Sequence, residues 1–197
     1  MPRRKRWCGI FSKRFVELLV PTPSSLARRE LAIEPLLESG HAQADRSRPR
    51  LMESLLLLAA AQGVFAGSML TEGAVLVPHW RSLSPAEFFA YYRANDRRLF
   101  RWFAAATAAA ALATWAAAAL AWATSHSERG LIAFAALLSL VYVAMFPLYF
   151  ARANASFSAA SVPEARLPEE LARWHQLHWL RSAIAAAAFG ALLLALD

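Results

Sequence analysis

Cysteine is nearly absent from this chain of 197 residues, which has only Cys8. One Cys excludes an internal disulfide framework, a CxxC redox pair and a Cys-ligated zinc or iron–sulfur site. Lysine is scarce as well, at 2 residues against 19 Arg. Charged residues make up 18%, below the roughly 25% of a soluble globular chain. No GxGxxG fingerprint, no strand-like alternation and no internal repeat is present, so neither a dinucleotide-binding fold nor a β-sandwich has a foothold. What is abundant is apolar: 58% of the residues, with 44 Ala. The excess of Ala and Arg points to a GC-rich bacterial genome. The second half is too apolar for disorder to be its dominant state.

The net charge of +7 is unevenly placed. Residues 1–50 hold 11 Lys and Arg against 5 Asp and Glu; residues 51–197 hold 10 against 9. The basic character therefore belongs to the N-terminal stretch, and the body has neither zinc-finger spacing nor an RNP motif. Nucleic acid is not expected as a partner. Residues 1–50 are broken by Pro and Ser and read as a disordered basic tail. Its apolar patch, Phe15 to Val20, is too short for a signal-peptide core. Met52 opens directly into an apolar run and is an alternative start; otherwise the tail is a basic arm for anionic lipid.

A membrane helix needs about 20 mostly apolar residues. Four segments of residues 51–197 approach or exceed that length: 55–77, 99–123, 131–150 and 177–196. The second is Ala-rich and offers only Thr107, Thr114 and two Trp as polar relief. Four all-round apolar helices in under 200 residues cannot all be deep core. The expected fold is therefore all-α, a four-transmembrane-helix bundle in a bacterial cytoplasmic membrane, with the lipid bilayer as its first partner. Ser84-Pro-Ala-Glu87 has the form of a capping box. The following stripe of Phe88, Phe89, Tyr92, Leu99 and Phe103 has helical spacing and reads as an interfacial helix before the second span. Ser125-His-Ser-Glu128 is read as a similar cap for the third span, and Pro168-Glu-Glu starts the fourth helix ahead of its apolar part. Arg81, Arg93, Arg97, Arg98 and Arg101 follow the first span, and Arg152, Arg166 and Arg173 the third. That bias places the two long connections in the cytoplasm. Gly63 and Gly67, spaced four apart, offer a close-approach face for another helix or a second copy.

Ionisable groups inside apolar helices are costly, and two stand out: Glu72 in the first span and Arg181 in the fourth. The alternation of spans puts both at one membrane face. Trp174, His178 and Arg181 sit at i, i+4 and i+7, on one side of the fourth helix. Asn154 and Tyr92 lie towards the same face. Glu72 and Arg181 are expected to pair directly, with His178 beside them. Such a pair is either a structural tie that fixes helix register or part of a site. A metal centre would need three or more converging ligands; His79, His175, His178 and Glu72 converge too loosely, so neither metal nor other cofactor is expected.

These residues resemble a known family. GVFAGSMLTEGAVLVP, YYRANDRRL, FPLYFARANASF and above all LARWHQLHWLRSA, with its W-x3-H-x2-R spacing, are similar to the four-helix integral membrane family that includes anthrone oxygenases and many uncharacterised bacterial members. The resemblance covers residues 55 to 196 and departs in the long basic tail and in His175. It implies a catalytic role for Glu72, His178 and Arg181, with substrate contacts from Trp174, Asn154 and Tyr92. The substrate would be a hydrophobic phenolic or quinone-like aromatic molecule drawn from the membrane. The other reading is a non-catalytic assembly or small-ligand-binding protein in which the same residues tie helices together. A roomy cavity beside Glu72 and His178 would separate the two.

Overall fold

The computed structural model describes residues 52–196, which belong to the second of two compact units, Met52–Asp197. The expectations for residues 1–50 lie outside the described residues. The described residues form four helices: α1, Met52–Ser82; α2, Pro85–Ala123; α3, Arg129–Ser158; and α4, Glu164–Leu194. Each contains a stretch long and apolar enough to cross a membrane. No strand occurs among the described residues. Only 22% of the most apolar stretch of α2, and of α3, is buried inside the bundle. Side chains such as Leu57, Leu112, Leu137 and Leu148 are left exposed.

α2 is one helix of 39 residues. The expected segment before the second span is helical but is not a separate element. No Pro or Gly follows Pro85 before Gly130, so nothing breaks the hydrogen-bond ladder. Its start is the expected capping box: the Ser84 N–H donates to Glu87 Oε2 at 2.9 Å, and the Glu87 N–H points back to Ser84 Oγ at 3.4 Å. Phe88, Phe89 and Tyr92 are buried against Val77, Trp80, Phe157, Leu171 and Trp174. The stripe that could have lain on a bilayer surface is occupied inside the protein, where α1 ends, α2 begins, α3 ends and α4 begins. The two Arg-rich connections are short; most of their residues are helical extensions of the spans.

Ser125 does not cap the third span. It adopts a left-handed conformation, φ 53°, and closes α2: its N–H bonds the Trp122 carbonyl, and the His126 N–H reaches back to Ala121. This is a Schellman ending. α3 starts at Arg129 without a side-chain cap. Ala160, φ 49°, ends α3 in the same way, with the Ser161 N–H on Ser156 and the Ala160 N–H on Phe157.

Helices α1 and α3 each contain a π-helical turn, Glu72–Leu76 and Phe146–Phe150. Both accompany a proline. Pro147 lies within its turn, and Pro78 follows the other by two residues. A prolyl ring clashes with the carbonyl four residues back and supplies no N–H; a widened turn accommodates both defects. A second, smaller core of Phe65, Met69, Ala110, Tyr142 and Ala185 lies further along the bundle. Fully buried alanines on α2, α3 and α4 let the backbones approach closely.

Candidate functional site

The first π turn determines where Glu72 points. Within it the Val77 N–H bonds the Glu72 carbonyl, five residues back. The Gly73 carbonyl thereby loses the donor that an α-helix would give it. It faces His175 Nε2 at 3.2 Å. The same nitrogen lies 2.7 Å from the Trp179 indole N–H. One ring nitrogen cannot serve both: unprotonated it accepts from the indole, and protonated it donates to the carbonyl. A side chain at Gly73 would press on its neighbours. A Cβ there would lie 3.1 Å from His178 Cδ2 and 3.3 Å from Trp179 Cε2. The absence of a Cβ at Gly73 eases the close approach of His178 and Trp179 on α4 to α1.

His178 is fully buried. Its Nε2 lies 2.8 Å from the Met69 carbonyl. A carbonyl only accepts, so Nε2 carries a proton and the neutral ring presents a bare lone pair at Nδ1. That lone pair faces Glu72 Oε2 at 3.5 Å. Two acceptors do not bond, so the contact is favourable when a proton lies between them, on either the carboxyl or the imidazole. Trp174 stacks on the His178 ring, with centroids 4.9 Å apart and planes at 7°. The Trp174 indole N–H donates to Asn154 Oδ1 at 3.0 Å, which ties α4 to α3.

Arg181 does not pair with Glu72. The only acid–base contact of Glu72 among the described residues is His178. The guanidinium turns instead to α2, where Nη2 donates to Thr107 Oγ1 at 3.1 Å. It lies over the rings of Phe150, 5.4 Å, and Phe65, 5.7 Å. These aromatic faces offset part of its desolvation. Its Nε is buried and has no hydrogen-bond partner among the described residues. The expected direct ion pair is thus replaced by two neighbouring arrangements, because Thr107 and the two rings hold the guanidinium and His178 fills the space beside Glu72.

Several of these groups border a cavity of about 740 Å³ between α2 and α3. Its walls are largely apolar, with Phe100, Phe103, Leu112, Phe146 and Phe150 among them. Glu72, Tyr92, Asn154, Trp174 and Arg181 also line it; His178 does not and stands behind Glu72. Phe100 and Leu112 are more than half exposed at its rim, so it opens sideways between the two helices. The second π turn contributes Phe146, Pro147 and Phe150 to the wall. Asp96 and Ser158 also line the cavity and are joined by a 3.0 Å hydrogen bond.

Sequence reasoning passed over Gln62. Its side chain is fully buried and joins all four helices. Nε2 donates to the Ala185 carbonyl at 3.0 Å, while Oε1 accepts from Tyr142 at 3.1 Å and Thr114 at 3.3 Å. A lone amide in LLLLAAAQGVFAG was the available signal. Among the described residues no three His, Cys, Asp or Glu converge as a metal would require. His79 is exposed and meets Tyr91 edge-on, outside the cluster. Gly63 is packed beneath the Phe189 ring of α4, whereas Gly67 has open space above it. Compared with known proteins, the chain matches no protein family, no curated protein and no solved structure.

Proposed function

We propose that this is a multi-pass protein of a bacterial cytoplasmic membrane that admits a hydrophobic aromatic molecule from the bilayer, and that it is an anthrone oxygenase-like enzyme. The observation that carries this reading is the cavity of about 740 Å³. It is large enough for a fused-ring substrate, has aromatic walls, and holds a carboxyl and an incompletely paired guanidinium. A purely structural knot would leave Glu72 and Arg181 packed without room beside them.

Membrane insertion rests on the four apolar helices and their lipid-like exposed surface. At about 1.5 Å per residue, α2 is far longer than the roughly 30 Å of bilayer hydrocarbon. The buried aromatic cluster around Trp80 and Phe88 then forms a head in the interfacial region on the Arg-rich, cytoplasmic side.

In the reaction, the Glu72 carboxylate removes a proton from an activated ring carbon of the substrate. The developing enolate oxygen is stabilised by the Arg181 guanidinium, which lines the cavity. The carbanion adds dioxygen to give a peroxide anion, the anion takes a proton from water, and the resulting hydroperoxide loses water to leave a ketone; the hydroxide left behind balances the proton that Glu72 releases. Asn154 and Tyr92 contact the polar edge of the substrate, and Trp174 fills the floor. His178 touches no substrate; it orients Glu72 and shares its proton through Nδ1. The test is turnover of a panel of anthrones and hydroquinones by membranes containing the protein, followed by mass spectrometry. Glu72→Gln should abolish oxidation, and equal product with the wild type and Glu72→Gln would overturn the proposal. A non-catalytic ligand-binding role is favoured by one observation, the internal contact between Glu72 and His178. It would give saturable binding of the same compounds with no product.

A further inference from the structure

Glu72 has a second opening. Across Leu99 and Phe103, which line both spaces, lies a cavity of about 420 Å³ between α1 and α2. Among the described residues, Glu72 is the only ionisable one that lines the two. Like the first, the second cavity is mostly apolar, with Leu76, Trp102 and Phe103 in its wall, but it is smaller and brings its polar groups close to Glu72 along α1. Ser68, Thr71, Asn95 and Arg98 contribute to its lining. The hydroxyls of Ser68 and Thr71 donate to carbonyls of their own helix, at 2.8 and 2.9 Å, which leaves lone pairs to accept from water. Asn95 donates one N–H to Tyr91 at 2.9 Å and keeps its carbonyl oxygen. Arg98 is exposed.

We propose that the two openings divide the work: ligand reaches Glu72 through the cavity between α2 and α3, and the proton of Glu72 exchanges with water through the cavity between α1 and α2. The proposal rests on the reading of Glu72 as the proton acceptor. Once a ligand proton has moved to Glu72, the carboxylic acid passes it to a water in the second cavity. Hydronium leaves and the carboxylate is restored, with no change of oxidation state. An aromatic ligand that fills the first cavity would otherwise seal the carboxyl from solvent. A separate polar route lets the base reset while the product is still bound. Glu72 opens the π turn of α1 and lies between the two inter-helix spaces.

The experiment uses membranes containing the full chain and two carbodiimides, which modify protonated carboxyls. One is apolar, dicyclohexylcarbodiimide; the other is a cationic, water-soluble carbodiimide. Peptide mass spectrometry reads the adduct at Glu72. Both reagents should modify the wild-type protein. Thr71→Leu and Asn95→Leu, on different helices, each fill the second cavity. They should cause loss of modification by the water-soluble reagent with that by the apolar reagent retained. Ala108→Trp, which fills the first cavity, should do the reverse. The proposal is overturned if neither reagent reaches wild-type Glu72. It is also overturned if the water-soluble reagent is blocked by Ala108→Trp instead, or if both Leu variants leave it unaffected or lose both reactions together. The readout needs no turnover. Inactivity towards every aromatic compound with the labelling pattern intact removes the proposed enzyme and leaves the route; turnover without the pattern removes only the route.

Discussion

Gln62 and Glu72, ten residues apart on α1, show two uses of a polar side chain in an apolar helix. The Gln62 amide uses both its nitrogen and its oxygen in bonds to the other three helices. Gln62→Leu should lower stability by about 1–2 kcal/mol, since interhelical hydrogen bonds in membranes are individually modest. Thermal unfolding in detergent reads the loss, and the effect should be non-additive with Tyr142→Phe, because the two share one bond. Glu72 instead has one imperfect contact and two open flanks. A double-mutant cycle should therefore give the stronger coupling between Glu72→Gln and His178→Ala, which are in contact, and a weaker one between Glu72→Gln and Arg181→Gln, which act on each other only through space. The reverse order would mean that the guanidinium, not the imidazole, is the partner of the carboxyl. Gly73→Ala should cost about 1–3 kcal/mol, the usual penalty of overpacking, because its Cβ meets the His178 and Trp179 rings. Gly67→Ala faces open space and should stabilise α1 by about 0.5–1 kcal/mol through backbone entropy.

At the scale of elements, the ends and the irregular turns of the helices carry the information. Ala160 holds a left-handed conformation, φ 49°, that costs an L-residue about 1–2 kcal/mol. Ala160→Gly should raise the unfolding temperature in detergent, and an unchanged or lower temperature would show that α3 does not end in this conformation. The π turn at Phe146–Phe150 is tied to Pro147. Pro147→Ala removes the ring clash and restores an N–H, so the ordinary α ladder can close. The expected outcome is equal or greater stability together with weaker binding of aromatic ligands, since Phe146 and Phe150 leave their places in the cavity wall. Titration of tryptophan fluorescence with an anthrone would read the binding.

For the molecule as a whole, the Arg bias and the observed topology together predict one orientation. The turn between α1 and α2 and the turn between α3 and α4 lie at the same end of the bundle, and with them Arg81, Arg93, Arg97, Arg98, Arg152, Arg166 and Arg173. The turn between α2 and α3 has Arg129 alone. In a Cys8→Ser background, Ser127→Cys should react with a membrane-impermeant thiol reagent in whole cells and Ser161→Cys should not. Reaction at position 161 alone would invert the bundle.

The four apolar stretches, their order and the face that gathers Glu72, Asn154, Trp174, His178 and Arg181 follow from the sequence, because hydropathy and a period of 3.6 residues are local properties. The capping box at Ser84 is legible for the same reason: it needs only two side chains three residues apart. The cap expected at Ser125 fails although its letters fit, because the same residues were already spent on closing α2. Which buried groups touch was decided by packing. Glu72 was drawn to His178, and Arg181 to Thr107 and two rings, by the rotation of helices about their axes and by the π turns that shift that rotation part-way along. The prolines that accompany those turns stand in the sequence, but the widened turns themselves, the cavities on either side of Glu72 and the four-helix junction at Gln62 exist only once separate helices are brought side by side.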